Sequence, residues 1–436
     1  MPVGLHQNLQ TKLINDLAQV IPYLEVTRGI ALSSPSISRL VELNSSLPGH
    51  GDIRDKLTAW VSDQPLSDFV AGYINDALMA DSYVDGSVVP LMSVPGWEDA
   101  NAQAAIIVEE FERLPKTYFV SISAPSGMDE FLRATEGQMR LANRARIVLA
   151  DDEFVEHHPV TTGDDVRDRS IWEHSLLSLV SSPDNNYKWE GGYLQIIKQG
   201  YIGRFIETNT SHEVVGDFKA LWGVQLALGI AKRRNSWSAY PVKRKLIVHQ
   251  STGDSLRLQM RLELDGATSS LVDQIAFNDW LPAGHPMETK VEVYKLYLNE
   301  IDLIFGESEE ATRLRLASRW LFDSYATDNE LLAYVQAMVC LEIILGDASL
   351  IGEIGLGELL RNRCAYLIGK TSTERAEILR DFKEIYDVRS HIVHRGKSRM
   401  NARERGLYAK LIWYCQRCIR EEINLLKKTK EKSKED

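Results

Sequence analysis

Apolar residues in the first hundred positions recur at intervals of three and four. This spacing belongs to one face of a helix, and it is clearest in the runs LQTKLINDLAQVIPYL and SDFVAGYINDALMA. The runs SSPS and SSLPGHGD separate the apolar segments and are typical of turns. The pattern therefore predicts a helical N-terminal region over residues 1–104.

The pattern changes to short, often alternating segments between residues 105 and 304. A helix candidate, AAIIVEEFERL, comes first. It is followed by five segments rich in β-branched or aromatic residues: TYFVSISA, ARIVLA, GYLQIIKQG, KRKLIVH and SLRLQMRLELDG. Gly, Asp and Ser lie at the ends of these segments, as they do at the ends of strands. We therefore expect a mixed α/β region over 105–304, which we interpret as a sensor or regulatory domain.

From residue 305 the spacing returns to that of helices, now long ones. It is carried by ATRLRLASRWLFDSYA, ELLAYVQAMVCLEIILGD, IGLGELLRNRCAYLIG, TERAEILRDFKEIYDVRSHIVH and ARERGLYAKLIWYCQRCIREEINLL. Short loops join these segments, which predicts an antiparallel helical bundle over 305–427, followed by a disordered tail over 428–436. The expected fold class is therefore α+β and multidomain, a mixed α/β N-terminal region followed by an all-α bundle.

Composition and charge narrow the possible partners. No apolar run approaches the roughly 18 residues of a membrane span, and no basic segment precedes an apolar one at the start. We therefore expect a cytoplasmic protein that contacts no membrane. The net charge is −11, yet residues 311–436 hold 23 Lys and Arg against 18 Asp and Glu. A polyanion would therefore bind the C-terminal part.

Three motifs look like sites, but a structural explanation is favoured for each. Gly369-Lys370-Thr371 matches the end of a phosphate-binding loop, yet the first glycine of that loop would fall at a cysteine. The acidic run ADDEFVEHHPVTTGDD is interpreted as a solvated loop rather than as a cation site. All four cysteines lie in apolar helical segments, where packing is favoured over zinc binding. They are Cys340, Cys364, Cys415 and Cys418. We expect no metal, no cofactor and no disulfide.

One segment of the bundle, DFKEIYDVRSHIVHRGKSRM, combines an arginine with two histidines. Helical phasing gathers Asp387, Ser390, His391 and His394 on one face. A second, broad face holds Phe382, Ile385, Tyr386, Arg389, Ile392 and Val393. The arginine interrupts an apolar stripe, and a guanidinium there needs an anionic partner because burying it unpaired is costly. That partner is either an internal carboxylate, Glu342 or Asp347, or a bound phosphodiester.

A basic run follows the two histidines. Residues 395–410 hold six Arg or Lys and one acidic residue, Glu404. The candidate RNA contacts are Arg395, Lys397, Arg399 and Arg403. The alternative for such a run is the solvated start of a helix. An arginine, two histidines and a basic surface together describe a site suited to a phosphodiester.

This segment also resembles a known family. Arg389-Ser-His-Ile-Val-His394 is similar to the Arg-x4-6-His signature of HEPN domains, and the longer string from Ile385 resembles the Apea-like branch of that family. Cys340-Leu-Glu-Ile-Ile-Leu345 resembles the first-helix segment of that branch, and Leu359 to Ile368 resembles its second helix. The resemblance covers about residues 311–425.

The resemblance implies a helical bundle that forms a homodimer and cleaves RNA without a metal. The 2′-hydroxyl would attack the adjacent phosphate, with His394 as general acid or base and Arg389 stabilising the phosphorane. Asp387 or Glu342 would orient these groups. Ser390 stands where many active members carry an amide or an acid, and His391 is an alternative to His394.

Two functions remain open after the sequence. The favoured one is a metal-independent endoribonuclease, controlled by a trigger or partner that binds residues 1–300 and acting as a defence or toxin-like effector. Control is expected because an unregulated ribonuclease would harm its own cell. The alternative is a non-catalytic module in which the HEPN-like bundle dimerises or binds a nucleotide or RNA.

Overall fold

The computed structural model of this chain describes residues 2–27, 31–78, 87–142, 144–160, 188–204, 206–234, 244–278, 284–346 and 355–435. The N-terminal region is helical, as predicted. Its helices are α1 (Gln7–Val20), α2 (Ser34–Val41), α3 (Asp52–Trp60), α4 (Pro65–Leu78) and α5 (Ala100–Glu112). A small antiparallel sheet joins them, in the order β2-β1-β3, which the periodicity did not predict. Its strands are β1 (Glu25–Thr27), β2 (Ala31–Leu32) and β3 (Val88–Pro90). Residues between Leu5 and Leu114, joined by Tyr201, form a hydrophobic core of their own.

A six-stranded antiparallel sheet forms the centre of the molecule, with strand order β10-β9-β4-β7-β6-β5. Its strands are β4 (Lys116–Ser123), β5 (Gln138–Ala142), β6 (Ala145–Leu149), β7 (Gly192–Gly200), β9 (Lys245–Thr252) and β10 (Ser255–Glu263). Two further strands, β8 (Ala231–Arg233) and β11 (Ile275–Phe277), pair with each other. All five predicted strand segments are confirmed, because alternation marks a sheet with one apolar and one more polar face.

In the described part of this region, five helices accompany the sheet. They are α6 (Asp129–Arg133), α7 (Asp152–His157), α8 (Asn209–Leu228), α9 (Gly266–Gln274) and α10 (Met287–Ile304). One face of the sheet, carrying Tyr118, Val120 and Leu194, packs into the main hydrophobic core. The mixed α/β prediction for this part of the chain is confirmed.

The C-terminal part consists of long helices, as predicted. They are α11 (Glu309–Ala326), α12 (Glu330–Leu345), α13 (Leu356–Ile368), α14 (Ser372–Arg395) and α15 (Ala402–Glu435). The expected tail differs, because α15 continues through it to Glu435. The segment is rich in Lys and Glu, which are good helix formers. Because an exposed helix end leaves their charges in water, the helix continues through this segment.

The main hydrophobic core does not end at the predicted domain boundary of 304/305. It runs from Tyr118 on the sheet to Ile423 on the last helix. Helix α8 packs along α11, where the rings of Trp222 and Phe322 stack with centroids 5.6 Å apart. The ammonium group of Lys219 lies 2.9 Å from the carboxylate of Asp323. The sheet and the helical bundle are therefore joined through a shared interior.

Among the residues that the structure describes, none of the helices combines the length and the apolar character needed to cross a bilayer.

Candidate functional site

Helix α14 carries the arginine and both histidines of the predicted site. Thr371 caps its first turn by accepting from the backbone N–H of Glu374, whose side chain accepts in turn from the backbone N–H of Thr371. This capping box occupies the Gly369-Lys370-Thr371 motif, so those residues begin a helix rather than a phosphate loop. The helix ends before Gly396, whose φ of 63° lies in the left-handed region.

Salt bridges along one side of α14 hold it against α15. The carboxylate of Asp381 lies 2.7 Å from the ammonium of Lys410, and that of Glu384 lies 2.9 Å from the guanidinium of Arg403. The buried face of α14 consists of Ile378, Phe382, Ile385 and Val388. Val393, predicted on the apolar face, is instead 46% exposed. It lies in the last turns of α14, past the buried stripe, which ends at Val388.

Arg389 has an internal partner. One of its Nη atoms lies 3.3 Å from Oε1 of Glu342 on α12, and the two side chains are 20% and 19% exposed. The Nε of Arg389 and that Oε1 atom have no hydrogen-bond partner among the described residues. The structure thus contains the internal ion pair considered as an alternative, but the pair is neither sealed nor well bonded. The other possible partner, Asp347, lies outside the described residues.

Burial dominates the electrostatics of this pair. Desolvation raises the pKa of Glu342 above its usual value, and the neighbouring Arg389 opposes this rise without cancelling it. Burial therefore disfavours the ionised form of Glu342, and the charge and hydrogen bond of Arg389 favour it.

His394 lies at the exposed end of α14, away from Arg389. Five residues correspond to a rotation of about 140° and a rise of about 7.5 Å along a helix, so the two side chains leave it in different directions. Asp387 and His394 are exposed, whereas Ser390 and His391 are half-buried on the same side. Within one chain the structure therefore does not bring the arginine and the histidine to one point.

The basic run after His394 is partly neutralised by carboxylates. Lys397 lies 2.7 Å from Glu404, and Arg403 contacts Glu384. Burial raises the pKa of Glu404, but hydrogen bonds from Lys397 and the Asn401 backbone outweigh burial and leave this pKa lowered. Two of the four predicted RNA contacts are therefore engaged within the chain.

The other two predicted RNA contacts, Arg395 and Arg399, are exposed and have no hydrogen bond or ion pair within the described residues. Residues 396–401 and Arg405 line an open recess of about 630 Å³ between α14 and α15. Three basic residues, Lys397, Arg399 and Arg405, line this recess, and Arg399 makes no ion pair with any described residue. A basic lining of this kind attracts a phosphate group.

The other motifs are structural where the structure describes them. All four cysteines are free and buried, and the Sγ atoms of Cys364 and Cys418 lie 3.9 Å apart. In the described ranges no group of three or more His, Cys, Asp and Glu side chains could hold a metal ion. The acidic run is described up to residue 160, and the expectation of a solvated loop is wrong there. Asp151 caps helix α7, and Phe154 and His158 are buried. The remainder of the run, 161–165, lies outside the described residues.

The sequence did not single out a second polar cluster, on the face of the sheet that points away from the main core. Ser121, Gln195 and His249 are fully buried there, close to Arg146 and His158. The signal was present, because each polar residue alternates with apolar ones in its strand. Periodicity assigns the apolar half of that alternation to the core and gives no reason to expect that the polar half is buried as well.

Comparison of the chain with protein-family models, with curated proteins and with solved structures found no match.

Proposed function

We propose that this protein is a metal-independent endoribonuclease of the HEPN type. The single observation that carries the proposal is the placement of Arg389 and His394 on one helix of a helical bundle, where His394 is exposed and the side chain of Arg389 is 20% exposed. The exposed Arg395 and Arg399 and the basic recess extend this surface. Such a surface attracts the phosphates of RNA.

The chemistry requires only groups that this helix carries. The 2′-oxygen attacks the adjacent phosphorus, its proton passes to a histidine acting as base, and the bond from phosphorus to the 5′-oxygen breaks. The leaving oxygen takes a proton from a histidine acting as acid, which leaves a 2′,3′-cyclic phosphate and a 5′-hydroxyl. Arg389 stabilises the negative charge of the phosphorane, and His394 transfers protons.

A homodimer is part of the proposal. Because Arg389 and His394 diverge by about 140° around α14, one chain alone does not present both to the same phosphate. A second copy packed against this helix would supply the complementary group. Val393, exposed beside His394, and the exposed Asp387 lie on the surface available for such a contact.

The neighbouring residues have supporting roles in this mechanism. Glu342 positions Arg389, and the half-buried Ser390 and His391 line the approach to His394. We assign proton transfer to His394, because its side chain is exposed whereas that of His391 is half-buried. Residues 1–300 are proposed to receive a trigger that raises cleavage above its basal rate, which fits a cytoplasmic effector of the defence or toxin type.

A second function is favoured by the ion pairs. Arg389, Lys397, Arg403 and Arg405 all contact carboxylates of the same chain. If these contacts persist in solution, the bundle is a non-catalytic module that dimerises or binds a nucleotide or RNA.

Cleavage of a mixed tRNA and rRNA pool by the full chain in EDTA separates the two functions. We expect cleavage by the wild type and a loss of at least 100-fold in His394→Ala and in Arg389→Ala. His212→Ala and Lys383→Ala, which change exposed residues outside the site, are the matched controls and should cleave normally. If His394→Ala cleaves as the wild type does, the nuclease assignment is wrong. RNA binding without cleavage would favour the module.

A further inference from the structure

A row of polar side chains crosses the central sheet on the face away from the main core. Ser121 on β4 stands opposite Gln195 on β7, and Gln195 stands opposite Arg146 on β6. Their side chains therefore point to the same side of three neighbouring strands. Polar residues in the middle of a sheet are costly to bury unless their hydrogen bonds are satisfied.

The hydrogen bonds of this row fix the direction of Arg146. Its Nε donates to Oε1 of Gln195 at 2.7 Å, and Nε2 of Gln195 donates to Ser121 Oγ at 2.9 Å. The same Nε2 lies 3.0 Å from Nε2 of His158. His158 Nδ1 lies 2.9 Å from the carbonyl oxygen of Phe154, which can only accept. Nδ1 therefore carries the proton, and Nε2 of His158 accepts from Gln195.

The guanidinium held by this network has no counter-ion in the part of the chain that the structure describes. Among the described residues, its Nε–Gln195 contact is the one hydrogen bond of the Arg146 side chain, and no carboxylate lies within ion-pair distance. Burial, and then the charge of Arg140, lower the pKa of Arg146. Both effects mean that the cation is disfavoured where it stands. An anion bound at its terminal Nη groups would remove this penalty.

Arg146 lines a cavity of about 390 Å³, which lies in the size range of small-molecule sites. The rings of Phe119 and Phe154 contribute apolar wall, and Ser251 and Ser255 contribute hydroxyl groups. The ring of Phe154 stacks on that of His158 at 3.8 Å, so this wall is rigid. The cavity therefore combines one oriented cation with an apolar surface.

The carboxylates of the cavity restrict what can enter. Glu136, Asp151, Glu153 and Asp254 also line it. Asp151 is occupied by capping α7, where it accepts from the backbone N–H of Phe154. These charges oppose a polyanion more strongly than a small molecule, which presents one anionic group to Arg146 and apolar atoms to Phe119 and Phe154.

We propose that this cavity binds a small organic anion, whose carboxylate or phosphate group is held by the terminal nitrogens of Arg146. The site lies on the sheet and involves none of the residues assigned to RNA cleavage. Anion binding at this site can therefore be tested independently of RNA cleavage.

Isothermal titration of the full chain with sodium benzoate, inorganic phosphate and neutral benzamide tests the proposal. We expect one or both anions to bind with a millimolar or tighter Kd and benzamide to bind at least tenfold more weakly. The anion that binds more tightly identifies the carboxylate or the phosphate as the natural group. Arg146→Met should weaken binding at least tenfold, while Arg144→Met, which changes an exposed arginine that does not line the cavity, should bind as the wild type does. Failure of both anions to bind, or equal binding by Arg146→Met, overturns the proposal.

A second measurement uses the unaltered protein, in case Arg146→Met does not fold. Phenylglyoxal modifies accessible arginines, and mass spectrometry locates the modified positions. The anion that binds should slow modification of Arg146 at least threefold and leave the exposed Arg144 unaffected. Equal modification of Arg146 with and without the anion would contradict the proposal.

Discussion

Arg389 lies between two roles that sequence alone could not separate. A sealed ion pair would make it structural, and an open groove would make it part of a site. The structure places it at one-fifth exposure beside a carboxyl group whose pKa is raised by burial. Such a pair leaves unused hydrogen-bonding capacity on the arginine, which is what a phosphate ligand requires.

The first prediction concerns the stability of Arg389→Ala. Breaking a fully buried pair costs about 3–5 kcal/mol, but this pair is partly solvated and incompletely bonded, so we expect about 1–2 kcal/mol. Urea unfolding of the full chain measures the difference in free energy of unfolding. Arg405→Ala, which breaks an exposed pair with Glu330, is the matched control and should cost at most about 1 kcal/mol. A loss of 3 kcal/mol or more would show that Arg389 is structural.

The buried side chain of His249 predicts how the free energy of unfolding depends on pH. Burial, opposed by the hydrogen bond to the Pro159 carbonyl, lowers its pKa to about 4. An unfolded histidine has a pKa of about 6.5, so the unfolded state binds the proton first. Stability should therefore fall as the pH drops from about 6.5 towards 4, by on the order of 3 kcal/mol from this residue.

The measurement is urea unfolding of wild type and His249→Gln at pH 7 and pH 5. The variant should lose less stability than the wild type between these two values. The exposed His212→Gln is the control and should lose as much as the wild type. An equal loss in His249→Gln would contradict the assignment.

At the scale of elements, the sequence predicted the strands of a sheet with one polar face and missed a helix that is mostly buried. The five strand segments were recognisable because the central sheet has an apolar side and a more polar side. Helix α8 was not predicted, since most of its length from Thr210 to Leu228 is buried and its sequence shows no polar stripe. Its burial depends on α11, a contact between distant parts of the chain that periodicity does not reveal.

The same limit applies to the candidate site. Helical phasing separated Arg389 from the face of His394, and the structure places the two side chains in correspondingly different environments. The counter-ions of Lys397 and Arg403 could not be assigned in advance. Glu404 and Glu384 reach them only because α14 and α15 lie side by side.

The contact between α8 and α11 predicts a sensitive glycine. A β-carbon on Gly223 would overlap the backbone carbonyl of Ser318. Gly223→Ala should therefore force the two helices apart and lower the free energy of unfolding by about 1–3 kcal/mol. Thermal unfolding of the full chain measures this as a lower Tm.

Gly406→Ala is the matched control for this substitution. Gly406 lies in α15, and a β-carbon added there would have no other atom within 4 Å. Alanine there should raise stability by about 0.5–1 kcal/mol, the usual gain in a helix. A Tm for Gly223→Ala equal to or above that of the wild type would mean that the helices do not approach as closely as described.

At the scale of the whole molecule, the shared core connects the proposed nuclease to the rest of the chain. The helices after residue 304 complete the interior of the sheet region, and α8 covers part of α11. A regulatory signal in the N-terminal part would therefore reach α14 through packed helices rather than through a flexible linker. This arrangement differs from that of two domains joined by a tether.

Fragments test this connection. Residues 305–436 alone would expose the apolar surface that α8 and the sheet cover, so we expect no cooperative thermal transition from them. Residues 116–436 keep the shared core and should melt cooperatively. Circular dichroism of both fragments beside the full chain decides the matter. A cooperative transition of residues 305–436 near the Tm of the full chain would show that the bundle is an independent domain.

The chemistry of the product ends tests the central proposal most directly. The full chain is incubated with a defined tRNA in EDTA, and the ends of each fragment are mapped. The proposed attack by the 2′-hydroxyl predicts 2′,3′-cyclic phosphate and 5′-hydroxyl ends that are absent with His394→Ala. Fragments with 3′-hydroxyl and 5′-phosphate ends, or cleavage that appears only when a divalent metal is restored, would contradict the mechanism assigned to Arg389 and His394.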